Sequence, residues 1–260
     1  MNDYSGVCYA KTFINQVIIR VDFLQFLAPE TVFHLNVEKA ILRVFPRRAP
    51  DQLIRFNAIN VVIDPNKGEP NTNSQVVDGI QREYRSASDK NKVLLSNKYI
   101  VFEINEYKAF DNHMQGISSI LSALYSINKI TAVRVGIRYI NLYDSNKIKI
   151  QKNYFASSIS STICSLEKDV SSNIALVRSM HLSEYAINSM KLNFRYGMYN
   201  PDYPNPLKKN DFALDYDCFS EEPTESIEDV LQYINNGHQA IQNLFENAIT
   251  DSLRKVMRSE

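Results

Sequence analysis

Ala132-Val133-Arg134-Val135-Gly136-Ile137-Arg138-Tyr139-Ile140-Asn141-Leu142-Tyr143 decides how the chain is read. The stretch is rich in β-branched and aromatic residues and contains no proline, which makes it a strand. An earlier stretch, Val17-Ile18-Ile19-Arg20-Val21-Asp22-Phe23-Leu24, has the same character. Aligned as text, Ile18-Ile19-Arg20-Val21 lies against Gly136-Ile137-Arg138-Tyr139. Recurrence at an offset of roughly 120 residues predicts an internal duplication.

Outward from these two strands the elements fall in the same order. After the first, Val37, Ala40, Ile41, Val44 and Phe45 recur at helical spacing before Pro46. Leu53 to Ile63 reads as a second strand, closed by the turn cluster Asp64-Pro65-Asn66-Lys67-Gly68, which opens a polar loop to about residue 79. Residues 80–95 supply a weak polar strand, Lys98 to Glu106 alternates cleanly as the next strand, and Ile117, Ile120, Leu121 and Leu124 form the stripe of a helix capped by Asp111 or Asn112. After the decisive strand come a Ser-rich helix at 156–168 and strands near 174–186, 190–199 and 211–219. A long helix from Ser226 to about 257 closes the chain, kinked at Gly237, with Leu253, Val256 and Met257 exposed or held by a partner. The expected fold is α+β, a duplicated β-α-β-β-β-α unit at 1–130 and 131–260. Its antiparallel sheets carry helices on one face.

Composition excludes several function classes. The seven glycines are never closer than eleven residues, so neither a dinucleotide-binding turn, a phosphate-binding P-loop nor a nucleophile elbow is present. Cys8, Cys164 and Cys218 are odd in number and scattered, unlike a disulfide framework or a metal-binding pair. His34, His113, His181 and His238 form no short ligand spacing, and no metal or cofactor is expected. The 29 basic and 29 acidic side chains cancel, which argues against a protein whose whole surface binds nucleic acid. The opening residues carry no basic leader and no stretch approaches the ~18 apolar residues of a membrane span, so the sequence predicts a cytoplasmic protein with no membrane partner.

Alternation along the strands yields the candidate surface. Arg20, Arg55, Arg134, Arg138 and Arg195 fall on polar rows, beside Asp22, Glu103, Asp215 and Asp217, with apolar residues between them. Arginine forks of this kind suit phosphate or carboxylate groups of an anionic ligand, a nucleic acid or a protein partner. The same row also closes on itself if the arginines pair across strands with the acids. A second candidate is a nuclease-like arrangement. Residues 37–143 read α-β-β-β-α-β, an order that resembles the core of metal-dependent nucleases of the restriction-endonuclease type, which carry E-x-K after an apolar run. Here Ile100-Val101-Phe102-Glu103 has Asn105 where the lysine would stand, and Glu106-Tyr107-Lys108 spells E-x-K three residues late. Glu83 is the remaining acid that two-metal hydrolysis would need.

Three motifs also resemble a sporadically distributed family of bacterial proteins of about this length, uncharacterised in function. They are R-x-G-[LI]-R-Y-[IL]-N at Arg134 to Asn141, L-D-[IVY]-D at Leu214 to Asp217, and H-x6-F followed by L-R-x-x-M at His238, Phe245, Leu253, Arg254 and Met257. The resemblance implies no activity, cofactor or catalytic residue. Its sporadic distribution suggests accessory genes such as those of defence or mobile-element loci. The sequence thus reads as a non-enzymatic binding or regulatory protein, homo-oligomeric or partnered with another protein. The alternatives are a metal-dependent nuclease-like enzyme using Glu103, Glu106 and Lys108, and a small-molecule receptor with a cleft between the repeats.

Overall fold

At the centre of the molecule β1 (Ile14–Phe23) and β7 (Ala132–Tyr143), the two strands that announce themselves in the sequence, pair antiparallel. The computed structural model describes residues 7–63, 70–127, 129–149, 151–161, 176–206, 208–209 and 211–259. Val17, Ile19 and Val21 stand opposite Tyr139, Ile137 and Val135. On its other edge β1 meets β6 (Tyr99–Ile104), with the same three residues facing Ile104, Phe102 and Ile100. All nine side chains are buried, because every second residue of a strand points to one face and that face carries the helices.

A single sheet runs through the whole molecule, where the sequence suggested one per repeat. Outward from β1 and β6 come β5 (Asn91–Ser96), β4 (Pro70–Arg85) and the two-residue β2 (Arg47–Arg48), while β3 (Gln52–Ile63) pairs with β4. Outward from β7 come β10 (Phe212–Ser220), β9 (Met190–Met198) and β8 (Ser179–Ile187). Every pairing is antiparallel. The helix layer comprises α1 (Pro29–Val32), α2 (Leu35–Val44), α3 (Phe110–Ile127), α4 (Ile227–Ala248) and α5 (Asp251–Arg258).

Several boundaries differ from expectation. The polar segment to residue 79 is largely strand, since β4 begins at Pro70 and pairs with β3 along its length. Residues 80–95 are the end of β4 and the start of β5, separated by a turn. Of the expected Ser-rich helix, 162–168 lie outside the described residues, and 157–161 are helical. Ser226 caps α4, accepting a hydrogen bond from the Asp229 amide.

Gly237 does not kink α4. A Cβ there would lie 2.7 Å from Ile137 Cγ2, so the glycine lets the helix approach β7 closely. The helix ends instead at Ile249 and Thr250, whose apolar pattern gave no warning. Backbone pairing causes the break: the Ala156 amide donates to the Ala248 carbonyl, and the Thr250 amide to the Tyr154 carbonyl. Helix α5 then returns to the core, where Leu253 and Met257 are buried and the half-buried Val256 packs against the core cluster. The expected exposed or partner-bound role for these three residues is therefore overturned.

Candidate functional site

Two polar regions lie on opposite sides of β7. On the side that carries no helix among the described residues, called helix-free below, most of the sequence-predicted arginines are engaged by carboxylates. Arg138 forks onto Asp215, with Nε to Oδ1 and Nη2 to Oδ2 both at 2.7 Å, and Arg195 reaches the same carboxylate at 3.5 Å. Arg134 lies 3.5 Å from Asp217 with its guanidinium over the Phe219 ring. Gly136 leaves space for that phenylalanine, whose Cβ stands 3.0 Å from where a Cβ of residue 136 would be. Arg20 pairs with Asp22 at 2.7 Å and covers the Tyr99 ring.

Arg55 does not join this row. The pairings Gln52–Gln81 and Arg82–Leu95 carry the register from β3 through β4 to β5, and they put Arg55 on the opposite face from Arg20. It sits 3.6 Å from Asp78 with both side chains largely exposed. Sequence parity within β3 was correct, but its phase relative to β1 depended on a register that the sequence does not show.

The nuclease-like residues are scattered. Glu103 is on the helix-free face, 3.2 Å from Lys92 and accepting from Gln16. Glu106 lies past the strand end, accepting from Ser88 and Lys90. Lys108 lines a cavity in the helix layer. Glu83 shares the face of Glu103 but pairs with Arg85 and is separated by β5, a gap of about 10 Å at ~4.8 Å per strand. Among the described residues no group of three His, Cys, Asp or Glu side chains is placed to share a metal ion.

The cavity has a volume of about 320 Å³ and lies between residues 7–14, the start of α3, β7, α4 and the end of α5. Its walls include Tyr107, Phe110, Tyr139, Asn141, His238 and Phe245. The His238 imidazole stacks on Phe110 with centroids 3.9 Å apart and planes at 8°. Its Nδ1 lies 2.9 Å from the Tyr139 hydroxyl, which lies 3.3 Å from the Tyr107 hydroxyl. Tyr107 also stacks on His113, whose buried Nε2 has no partner among the described residues. Glu246, 2% exposed, closes one wall by accepting from Tyr9 Oη at 2.7 Å and Arg254 Nε at 2.9 Å. The Lys11 amide donates to the Met257 carbonyl, tying the N-terminal segment to α5.

Electrostatically this lining is quiet. Burial pushes the His238 pKa down to about 4 despite the opposing pull of Asp111, so the ring is neutral at pH 7. Burial likewise raises Tyr107 to about 12 and Tyr139 well above the ordinary phenol value. The inner surface therefore offers uncharged aromatic faces, hydroxyls and amides, with Lys108 and the exposed Asp111 also among its lining residues.

Sequence reasoning placed the stripe of α4 correctly: Val230, Ile234 and Ile241 are buried. It missed the adjacent polar row Asn235, His238, Gln239, Gln242 and Glu246, which recurs at the same helical spacing and lines the cavity. That row was the available signal. Five residues from the family-like motifs, Tyr139, Asn141, His238, Phe245 and Met257, meet in the cavity wall.

Fold and site together define an α+β protein with one helix-covered sheet face and a polar, aromatic cavity within the covered side. No protein-family model, curated protein or solved structure matches the chain. No helix among the described residues is long and apolar enough to cross a membrane.

Proposed function

We propose that the protein is a non-catalytic receptor for a small molecule, bound in the cavity between residues 7–14 and helices α3, α4 and α5. The observation that carries this reading is a cavity of about 320 Å³ whose walls combine stacked aromatic rings with hydrogen-bonding groups. That volume falls at the lower end of the usual range of ligand sites, ~300–1,000 Å³. The binding role expected from sequence is kept, and its surface moves from the arginine row to the opposite side of β7. The arginines take a structural part in this reading, since Arg20 and Arg138 fork onto Asp22 and Asp215 and Arg134 reaches Asp217.

The receptor is read as a duplicated unit. The strand order outward from β1 and β7 supports this, because each is followed by the last strand of its half, then the preceding ones in turn. The cavity draws on both halves, with Tyr107 and Phe110 from the first and Tyr139 and His238 from the second.

A ligand that fills the cavity joins the N-terminal segment to α4 and α5. At a hundredfold excess over Kd it should stabilise the fold by about 2.7 kcal/mol. The test is a thermal-shift screen of small uncharged and charged compounds, repeated with Gln239→Trp, which places an indole in the space from an exposed helix position. Hits whose concentration-dependent shift disappears in Gln239→Trp support the reading. Hits that shift both proteins equally place binding elsewhere and overturn it.

A further inference from the structure

The hydrogen-bond chain in the cavity wall fixes where protons sit, and that selects a ligand. Tyr139 is 4% exposed, and its hydroxyl has two neighbours, His238 Nδ1 at 2.9 Å and Tyr107 Oη at 3.3 Å. A phenol is a stronger acid than an imidazole N–H, and an imidazole nitrogen is a stronger base than a phenol oxygen. The Tyr139 proton is therefore donated to Nδ1, and Tyr107 donates to Tyr139. A neutral imidazole that accepts at Nδ1 carries its single proton on Nε2. Burial keeps His238 neutral at physiological pH. No described residue accepts from Nε2, and His238 lines the cavity.

Asn141 supplies the complement. Its Nδ2 donates to the Leu214 carbonyl at 3.3 Å, an acceptor that fixes the orientation of the amide. Oδ1 is thereby left as an acceptor with no partner among the described residues. The side chain is 4% exposed and lines the same cavity. His238 Nε2–H and Asn141 Oδ1 both open onto the cavity, where water can pair with them, and a ligand that presents an acceptor to the one and a donor to the other replaces that water at no cost in hydrogen bonds. Tyr107, Phe110 and Phe245 form the aromatic surroundings.

Resting on the receptor reading above, we infer that the ligand is an uncharged planar ring bearing an adjacent C=O and N–H, a lactam-type heterocycle of which the oxo-nucleobases are examples. Its carbonyl accepts from His238 Nε2–H and its N–H donates to Asn141 Oδ1. Ionised ligands are disfavoured at His238 and Asn141, because Glu246 is already paired with Arg254 and the other charged lining residues, Lys108 and Asp111, are exposed.

Nitrogen-15 NMR of His238 in the unmodified protein tests the first step without any variant. The Nε2–H tautomer is expected, and an Nδ1–H tautomer overturns the inference. Titration with uracil, hypoxanthine, benzoate and toluene tests the second. The two lactams should bind saturably, and His238→Phe, which keeps a ring against Phe110, should weaken them about tenfold, the size of one lost hydrogen bond. If toluene or benzoate binds in the cavity while the lactams do not, or if His238→Phe leaves lactam affinity unchanged, the ligand class is wrong and the receptor reading survives. If none of the four binds, the inference fails. The receptor reading fails with it only if the wider screen also yields no hit sensitive to Gln239→Trp.

Discussion

Neighbouring residues of β7 live under different electrostatic rules. Arg134 and Arg138 point to the helix-free side and meet Asp217 and Asp215, so charge is closed against charge across the strands. Tyr139 and Asn141 point to the helix side, where the buried charge of Glu246 is paired with Arg254 and the neighbouring phenols, amides and imidazole are uncharged, with Asn141 Oδ1 and His238 Nε2 facing open space. Water screens the exposed part of the first surface, where pairs such as Arg20–Asp22 contribute little, while buried Asp215 depends on its fork with Arg138. Burial penalises unpaired charge on the second, so Glu246 is matched by Arg254 and the remaining buried polarity is held by neutral phenols, amides and an imidazole. The lesson is that the richer display of charge marks the more self-contained surface.

The largest test of this contrast concerns what supports the cavity side. Removing residues 251–260 deletes buried Leu253 and Met257 and also Arg254, the partner of Glu246. Losses of about 2–5 kcal/mol per large buried side chain sum to the order of the whole stability, so the truncated chain should aggregate or melt far below the parent. Leu253→Ala alone should cost about 3 kcal/mol in a denaturant titration. A truncated chain that stays folded would make the cavity wall dispensable.

The pH dependence sharpens the comparison next. In the unfolded chain His238 takes up its proton near ~6.5, whereas in the folded protein it resists to about 4. Between these values the unfolded state binds more protons, so the stabilisation from a neutral His238 is complete above pH ~6.5 and is lost as pH falls toward 4. The loss should reach about 3 kcal/mol over that window. Asp111, the one charge acting on the ring, and the hydroxyls of Tyr139 and Tyr107 remain in His238→Phe, which should be flatter than the parent by that amount. Denaturant midpoints at pH 7 and 4.5 for both proteins measure it, and parallel curves would show the imidazole to be solvated.

On the other side of β7, Arg138→Ala leaves Asp215, 6% exposed, with only the longer contact to Arg195. About 2 kcal/mol of stability should be lost, with the expected cavity ligand still bound at parental affinity. Arg20→Ala, whose guanidinium is half exposed, should cost less than ~1 kcal/mol. An affinity change in either variant would tie the arginine row to ligand binding and erase the distinction between the faces.

How much of this was readable follows from where each signal resides. Strands β1, β7, β9 and β10 and the stripes of α3 and α4 were legible because alternation and helical periodicity are local and these segments bury one face. The helix break at 249–250 was not, since it is imposed by backbone pairing with residues 154–156. The phase of Arg55 needed the β3–β4–β5 register. The arginine row itself was visible, and so was the option that it closes on its own acids. The cavity was not visible, because Tyr9 reaches Glu246 and Tyr139 reaches His238 across the chain, and no local pattern reports such contacts. The polar row of α4 was overlooked because the apolar stripe beside it already explained the helix.

The central position of β1 sets a timetable for synthesis. Val17 must wait for Ile104 on one edge and for Tyr139 on the other. At translation rates of ~5–20 residues per second, the second wait is about 6–25 s. Through that interval one edge of β1 has no native strand to join, and β7 in turn waits for β10. An open edge rich in Val and Ile is a template for pairing with another chain. Arg20 and Asp22, which lie within this strand, place a charge of each sign along the waiting edge. Charged residues within a strand whose edge is open are a general device against such pairing, so the sequence of β1 suits a strand that closes late.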